Sequence, residues 1–170
     1  MAVNCRGRSY KILAEVEIGP NCSGVIFAHG SRFGGHSMFI KDKKLYYVYN
    51  FLGIKPEQQF ISAELKPGKY TFGMEFTREK AGEHHESVGK TKLYVNDRVV
   101  AEGPMRTQAG KFTLSGDGLC IGNDSGDAVS ALYKSPGEFK GGEIRFVGVT
   151  IEKTQYLDLE QLAAAAFAVD

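Results

Sequence analysis

The sequence predicts an all-β protein built as a two-sheet antiparallel sandwich. Three observations carry that expectation. Apolar and polar residues alternate in short segments. Gly, Pro, Asn and Asp punctuate those segments. A single stretch, close to the C-terminus, carries a helical signature. Many short strands with frequent turns and little helix form a sandwich or a barrel. The irregular spacing and the lack of an internal repeat argue against a propeller.

The elements follow in order. Tyr10, Ile12, Ala14, Val16 and Ile18 fall on one face of a strand, with Lys11, Glu15 and Glu17 on the other. Gly19-Pro20-Asn21 is expected to end it. The apolar run Val25 to Ala28 reads as a buried strand, and Gly30 to Gly35 as a loop. Ser37 to Lys41 and Leu45 to Asn50 outline a hairpin around Asp42-Lys43-Lys44, without the Asn-Gly or Asp-Gly of a strong hairpin turn. Phe60 to Leu65 is a strand and Pro67-Gly68 a turn. Tyr70, Phe72, Met74 and Phe76 share the face of the next strand. Thr77 to Gly89 is polar and charged and is expected to be a long loop. Thr91 to Val95 and Arg98 to Glu102 flank Asn96-Asp97, the clearest hairpin signal in the chain. Phe112 to Leu114, Leu119 to Gly122 and Gly142 to Glu152 supply the last strands. Asp158 and Gln161 form a capping box for a short helix over Leu159 to Ala168. The expected organisation is a sandwich domain over 1–156 and a helical tail over 157–170.

Composition narrows the function. The 170 residues are 42% hydrophobic and 24% charged, with a formal net charge of +1. No field of one sign favours nucleic acid or an anionic membrane. No apolar run approaches the roughly 18 residues of a membrane span. Met1 to Arg8 has no apolar core of a signal peptide, so the expectation is a cytoplasmic protein, or one whose leader precedes this sequence. Cys5, Cys22 and Cys120 show no paired spacing and read as free thiols. Asn21-Cys22-Ser23 and Asn123-Asp124-Ser125 have the form of glycosylation sequons but are read as turns.

Candidate chemistry is sparse. His84-His85-Glu86 sits among Arg78, Glu79, Lys80 and Glu83, as a solvated loop does. His29 and His36 flank the glycine-rich segment as structural hydrogen-bonders. Glu15 and Glu17 share a strand face, but the apolar residues between them mark that face as the exposed one. No Glu-x-Asp-x-x-Glu run of a sandwich glucanase is present. Gly116-Asp117-Gly118 lacks the helix and the Lys-Ser/Thr of a phosphate loop. Asn123, Asp124 and Asp127 cluster oxygen ligands as calcium sites do, although an Asx-rich turn explains them equally well. The run Leu45 to Phe51 alternates so that Tyr47 and Tyr49 share a face beside Asn50. Aromatic rings beside an amide are how sugar-binding surfaces stack and hydrogen-bond a ring.

Taken together these residues resemble the C-terminal domain of bacterial arylsulfatases. The resemblance lies in Gly24 to Asp42, Leu45 to Gly53, Leu65 to Lys69, Lys92 to Asn96, Val100 to Gly103, Ile121 to Ser130, Phe139 to Gly141 and Ile144 to Ile151. It runs from about Arg8 to Glu152. It implies a concanavalin A-like jelly roll of two antiparallel sheets, standing beside a catalytic domain rather than forming one. No cysteine or serine here has the Pro and Arg spacing that makes the sulfatase nucleophile. Asn123 stands where the family's usual pattern has Arg.

Three functions are open. The first, and favoured, is a non-catalytic accessory domain whose partner is a sulfatase-like catalytic domain or a second copy of itself. The second is a lectin-like binder of glycans, sulfated ones included, through Arg32, His36, Tyr47, Tyr49 and Asn50. The third is an enzyme on the same fold.

Overall fold

The computed structural model describes residues 7–108 and 117–151. The described residues form nine strands, all paired antiparallel: β1 Tyr10–Ser31, β2 Gly34–Lys41, β3 Lys44–Asn50, β4 Gln58–Glu64, β5 Gly68–Ala81, β6 Ser87–Val95, β7 Arg98–Thr107, β8 Asp117–Ile121 and β9 Lys140–Ile151. They make two sheets. Sheet I runs β9-β1-β5-β6-β7. Sheet II runs β8-β1-β2-β3-β4.

Strand β1 belongs to both. Its first part, Tyr10 to Ile18, pairs with β5 and β9, and its last part, Gly24 to Ser31, pairs with β2 and β8. The Gly19-Pro20-Asn21 segment, expected to end the strand, instead lets it turn from one layer into the other. Glycine and proline weaken a ladder without requiring the chain to leave the extended region.

The core lies between the layers. Tyr10, Ile12, Ala14, Val16 and Ile18 are buried, and Lys11, Leu13 and Glu15 between them are exposed. Phe72, Met74, Phe76 and Leu93 extend this inner face of sheet I. Ile26, Met38, Ile40, Leu45, Tyr47 and Phe60 oppose them from sheet II. The open side is closed by Gln58, whose amide donates to the Arg106 carbonyl at 2.9 Å and accepts from the Arg106 N–H at 2.8 Å. One side chain thus supplies both halves of a ladder step between β4 and β7, the edge strands of the two sheets.

A second, smaller core covers the outer face of sheet II. Val129, Leu132 and Tyr133, from the segment between β8 and β9, pack on Val25, Ala28, Phe39 and Val48. Glu57 anchors that segment. Its carboxylate accepts from Ser130 Oγ at 2.7 Å, the Ala131 N–H at 2.9 Å and Lys55 Nζ at 2.8 Å.

Two expected loops are paired strand instead. Gly30 to Gly35 forms a hairpin with Arg32 and Phe33 at its tip. Thr77 to Gly89 is mostly the paired ends of β5 and β6 around a turn at 82–86. Thr77 to Ala81 is exposed throughout, so neither face had to be apolar and no alternation marked it. The Asp42-Lys43 turn holds both residues at positive φ, 50° and 61°, as a type I′ turn does, although neither is glycine. The expected strand at Phe112 to Leu114 and the helix over Leu159 to Ala168 lie outside the described residues, as does the boundary at 156.

Candidate functional site

The structure brings the candidate sugar-binding residues together, but inside the protein rather than on its surface. Tyr47, Tyr49, His36 and Asn50 are buried. Tyr47 Oη lies 2.7 Å from Tyr10 Oη and 3.0 Å from His36 Nδ1. Tyr49 Oη accepts the Gln108 N–H at 2.9 Å. Asn50 donates to the carbonyls of Arg32 (3.0 Å) and Val129 (2.8 Å) and accepts the Gly53 N–H. Burial pushes the His36 imidazole down to about 3, and the neighbouring His29 adds to this. The exposed aromatic face expected beside Asn50 is therefore absent. Strand β3 is covered on its inner side by sheet I and on its outer side by the 129–133 segment, so both phases of its alternation are enclosed. Only Arg32 of these five reaches solvent.

The candidate metal ligands part. The Asp124 carboxylate is 1% exposed and accepts from the Val129 N–H at 2.9 Å and from the Tyr133 hydroxyl. Burial, reinforced by that carboxylate, pushes the Tyr133 phenol far above its ordinary value. Asp127 sits at the surface, paired with Arg32 Nε at 3.5 Å. Asn123 is half-buried. No group of three or more His, Cys, Asp or Glu among the described residues is placed to hold a metal ion. Asp124 organises a turn, as an Asx-rich segment does.

The remaining candidates take surface roles. His84 and His85 lie in the β5–β6 turn, where the Glu86 carboxylate accepts the His84 N–H at 2.9 Å. Glu17 pairs with Arg145 at 3.1 Å on the outer face of sheet I.

Two surfaces remain that sequence reasoning missed. The first is a cleft of about 500 Å³ between β2 and the segment before β9, lined by Phe39, Lys41, Asp42, Tyr133, Glu138 and Lys140. Phe39 stacks on Tyr46 (5.0 Å between centroids) and meets Tyr133 edge-on at 4.9 Å. Lys41 Nζ donates to the Leu132 carbonyl at 2.8 Å, tying the two walls together.

The second is an apolar row across the outer face of sheet I. Gly148, Leu13, Gly73, Tyr94 and Val99 are successive cross-strand partners on β9, β1, β5, β6 and β7. Phe146 adjoins Gly148 on β9. Leu13, Phe146 and Val99 are 51%, 54% and 44% exposed. The glycines shape the row. A Cβ on Gly148 would fall 2.7 Å from the Phe146 ring, and one on Gly73 would fall 3.0 Å from a Leu13 methyl. The two apolar side chains therefore lie down on the sheet. Charged residues border the row: Lys11 pairs with Glu75 at 3.5 Å, and Tyr94 Oη donates to the same carboxylate at 3.1 Å. A signal for this row was present in the chain. Leu13 interrupts the polar phase Lys11, Glu15, Glu17.

No protein-family model and no curated protein matches the chain. Solved structures do. The chain is similar to domains LG4-5 of the mouse laminin α1 chain, with a TM-score of 0.59 and 11% identity over 88% of this chain and 38% of that one. It is also similar to the native heptameric SAP-like pentraxin from Limulus polyphemus, with a TM-score of 0.50 and 16% identity over 84% of this chain and 63% of that one. The chain thus spans less than two thirds of the length of either. At such identities the likeness is one of fold, and it gives the arylsulfatase resemblance no support beyond the shared sandwich. The chain has the antiparallel, concanavalin A-like jelly-roll fold.

Proposed function

We propose that this is a non-catalytic accessory domain that docks on a protein surface, of the kind that stands beside the catalytic domain of arylsulfatases. The observation that carries this reading is the exposed apolar row on sheet I. An outward-facing strand position normally carries a polar residue. Here Leu13 and Phe146 lie exposed on neighbouring strands, Val99 stands exposed at the far end of the same row, and the charged Lys11, Glu75, Glu17 and Arg145 border it. An apolar centre with a charged rim is the anatomy of a protein–protein interface. The buried ionisable groups described above support it too, since His36, Glu57 and Asp124 are all engaged in holding the fold.

The test is titration of the chain against a sulfatase-type catalytic domain prepared without its own sandwich domain. Saturable binding that disappears in the double variant Leu13→Lys, Phe146→Lys is the expected result. A folded chain that fails to bind such a domain overturns the reading.

The cleft beside Phe39 favours a second reading, a lectin-like domain. The half-buried Tyr133 at its edge and its lysines and carboxylates suit a saccharide carrying hydroxyl or sulfate groups. Screening against neutral and sulfated glycans, with Lys140→Ala as the control, decides it. The reading requires saturable binding that Lys140→Ala weakens.

A further inference from the structure

One end of sheet II carries apolar side chains that the core does not use. The tip of the β1–β2 hairpin holds Phe33, and the loop after β3 holds Leu52 and Ile54; the three are 55%, 43% and 48% exposed. The two loops lie against each other. A Cβ on Gly53 would fall 3.2 Å from the Arg32 carbonyl oxygen and 3.9 Å from the Phe33 Cα. The buried Asn50 amide fixes them in place, donating to the Arg32 carbonyl at 3.0 Å and accepting the Gly53 N–H at 2.9 Å. The tips are therefore pre-organised.

Leu52 is the residue that the fold does not explain. Leu52 and Gly53 have φ of 53° and 74°, and the Ile54 N–H donates to the Phe51 carbonyl at 2.9 Å, as in a type I′ turn. Asn, Asp or Gly suits the first of these positions, and a leucine there is strained. The other non-glycine residues at positive φ among the described residues, Asp42, Lys43, His85 and Asn96, are all polar. Leu52 combines backbone strain with an apolar side chain left largely in water. A strained, exposed apolar residue on a rigid support points to a contact outside the chain.

Cations border the tips. The Arg32 guanidinium lies 4.8 Å from the centre of the Phe33 ring, and that of Arg106 lies 4.2 Å from the centre of the Phe51 ring. Lys55 follows Ile54, and all three cations are exposed. Against them stand Asp127, paired with Arg32, and Glu86, engaged with the His84 N–H. The Glu57 side chain beside Lys55 is 3% exposed and is turned inward to Ser130 and Ala131. The surface at this end thus keeps an excess of positive charge, although the chain as a whole carries only +1.

We propose that these two tips bind the surface of an anionic lipid bilayer, with Phe33, Leu52 and Ile54 entering below the headgroups and Arg32, Lys55 and Arg106 lying among the lipid phosphates and carboxylates. Three apolar side chains on adjoining tips cannot supply the roughly 800 Å² per partner of a stable protein interface. A bilayer surface asks for no such area, because a few inserted apolar groups and nearby cations add their contributions. This surface is separate from the Leu13–Phe146–Val99 row, and the inference goes beyond the docking reading.

The test is co-sedimentation of the full chain with phosphatidylcholine vesicles, with and without about one third phosphatidylserine. The chain contains no tryptophan, so Phe33→Trp also places a single indole at the tip. The expected result is partition about tenfold stronger into the anionic vesicles, with a blue-shifted indole quenched by brominated lipid chains. Leu52→Asn, Ile54→Ser should weaken partition about tenfold, whereas Leu13→Lys, Phe146→Lys should leave it unchanged. Leu52→Asn alone should raise the melting temperature, since asparagine relieves the turn, so the lost partition cannot be ascribed to unfolding. A fall in melting temperature makes Leu52 a packing residue and overturns the proposal. Absence of partition, equal partition into phosphatidylcholine alone, or partition that survives Leu52→Asn, Ile54→Ser also overturns it. If vesicles are not bound and that variant instead loses binding to the catalytic domain, the tips are a protein contact and the bilayer is excluded.

Discussion

Gly30 and Gly35 face each other across the β1–β2 ladder so closely that a Cβ on either would lie within 2.8 Å of the other's Cα. A Cβ on Gly35 would also fall 2.2 Å from the His29 carbonyl oxygen. The obstacle is backbone on every side, which cannot rotate away. Gly35→Val is therefore expected to destabilise the domain by about 3 kcal/mol or more, at the upper end of overpacking costs. An unchanged melting temperature in Gly35→Val refutes this account of the hairpin.

Glu57 is expected to matter out of proportion to its position in a connecting loop. Burial pushes its carboxyl up, but the hydrogen bonds from Lys55, Ser130 and Ala131 outweigh that and leave it below its ordinary value. Glu57→Gln weakens three contacts at once and should cost about 1–3 kcal/mol. A carboxyl lowered on folding contributes stability that is present above its ordinary pKa and disappears as pH falls through the lowered one. Acid unfolding of the wild type below about pH 4.5 should accordingly be steeper than that of Glu57→Gln in denaturant melts.

His36 acts in a higher window. Folded, it stays neutral down to about 3; unfolded, it takes a proton near 6.5. The unfolded chain binds the extra proton in between, so stability is complete above about pH 6.5 and declines as pH drops toward 3. The slope is at most about 1.4 kcal/mol per pH unit for one group. Urea midpoints between pH 6.5 and 4.5 isolate this contribution from Glu57. His36→Gln should flatten that stretch of the curve, and a slope that persists in the variant assigns it to other groups.

Chelation is expected to leave stability unchanged. Asp124 is bonded to Val129 and Tyr133, and Asp127 to Arg32, so the turn is held by protein groups. A clear fall in melting temperature with EDTA, restored by calcium, reverses this conclusion.

The architecture was legible because sandwich strands with one wet face write their burial into the chain at period two. Tyr10 to Ile18 and Tyr70 to Phe76 are read straight from that alternation. It failed where a strand has no wet face or no dry one. Tyr47 and Tyr49 were misjudged because they are the inner phase of β3 and pack in the core between the sheets, while the opposite phase, Tyr46 and Val48, lies under residues 129–133, far away in sequence. Thr77 to Ala81 was missed for the opposite reason. The site was less legible still. Tyr133 joins Phe39 only through the fold, and Phe146 reaches Leu13's neighbourhood only through the β1–β9 register. The Arg32–Asp127 pair could not be seen as one feature, although each residue was singled out separately.

The passage of β1 through both layers makes the domain mechanically indivisible. Each half of that strand is held between two partners, β9 and β5 in one layer and β8 and β2 in the other, so neither layer can peel away without tearing a strand the other also uses. Pulling, heating or nicking at the Pro20 corner should therefore dismantle the whole body in one event. An insertion is better tolerated at an outlying hairpin such as Asn96-Asp97, where the shared strand is untouched.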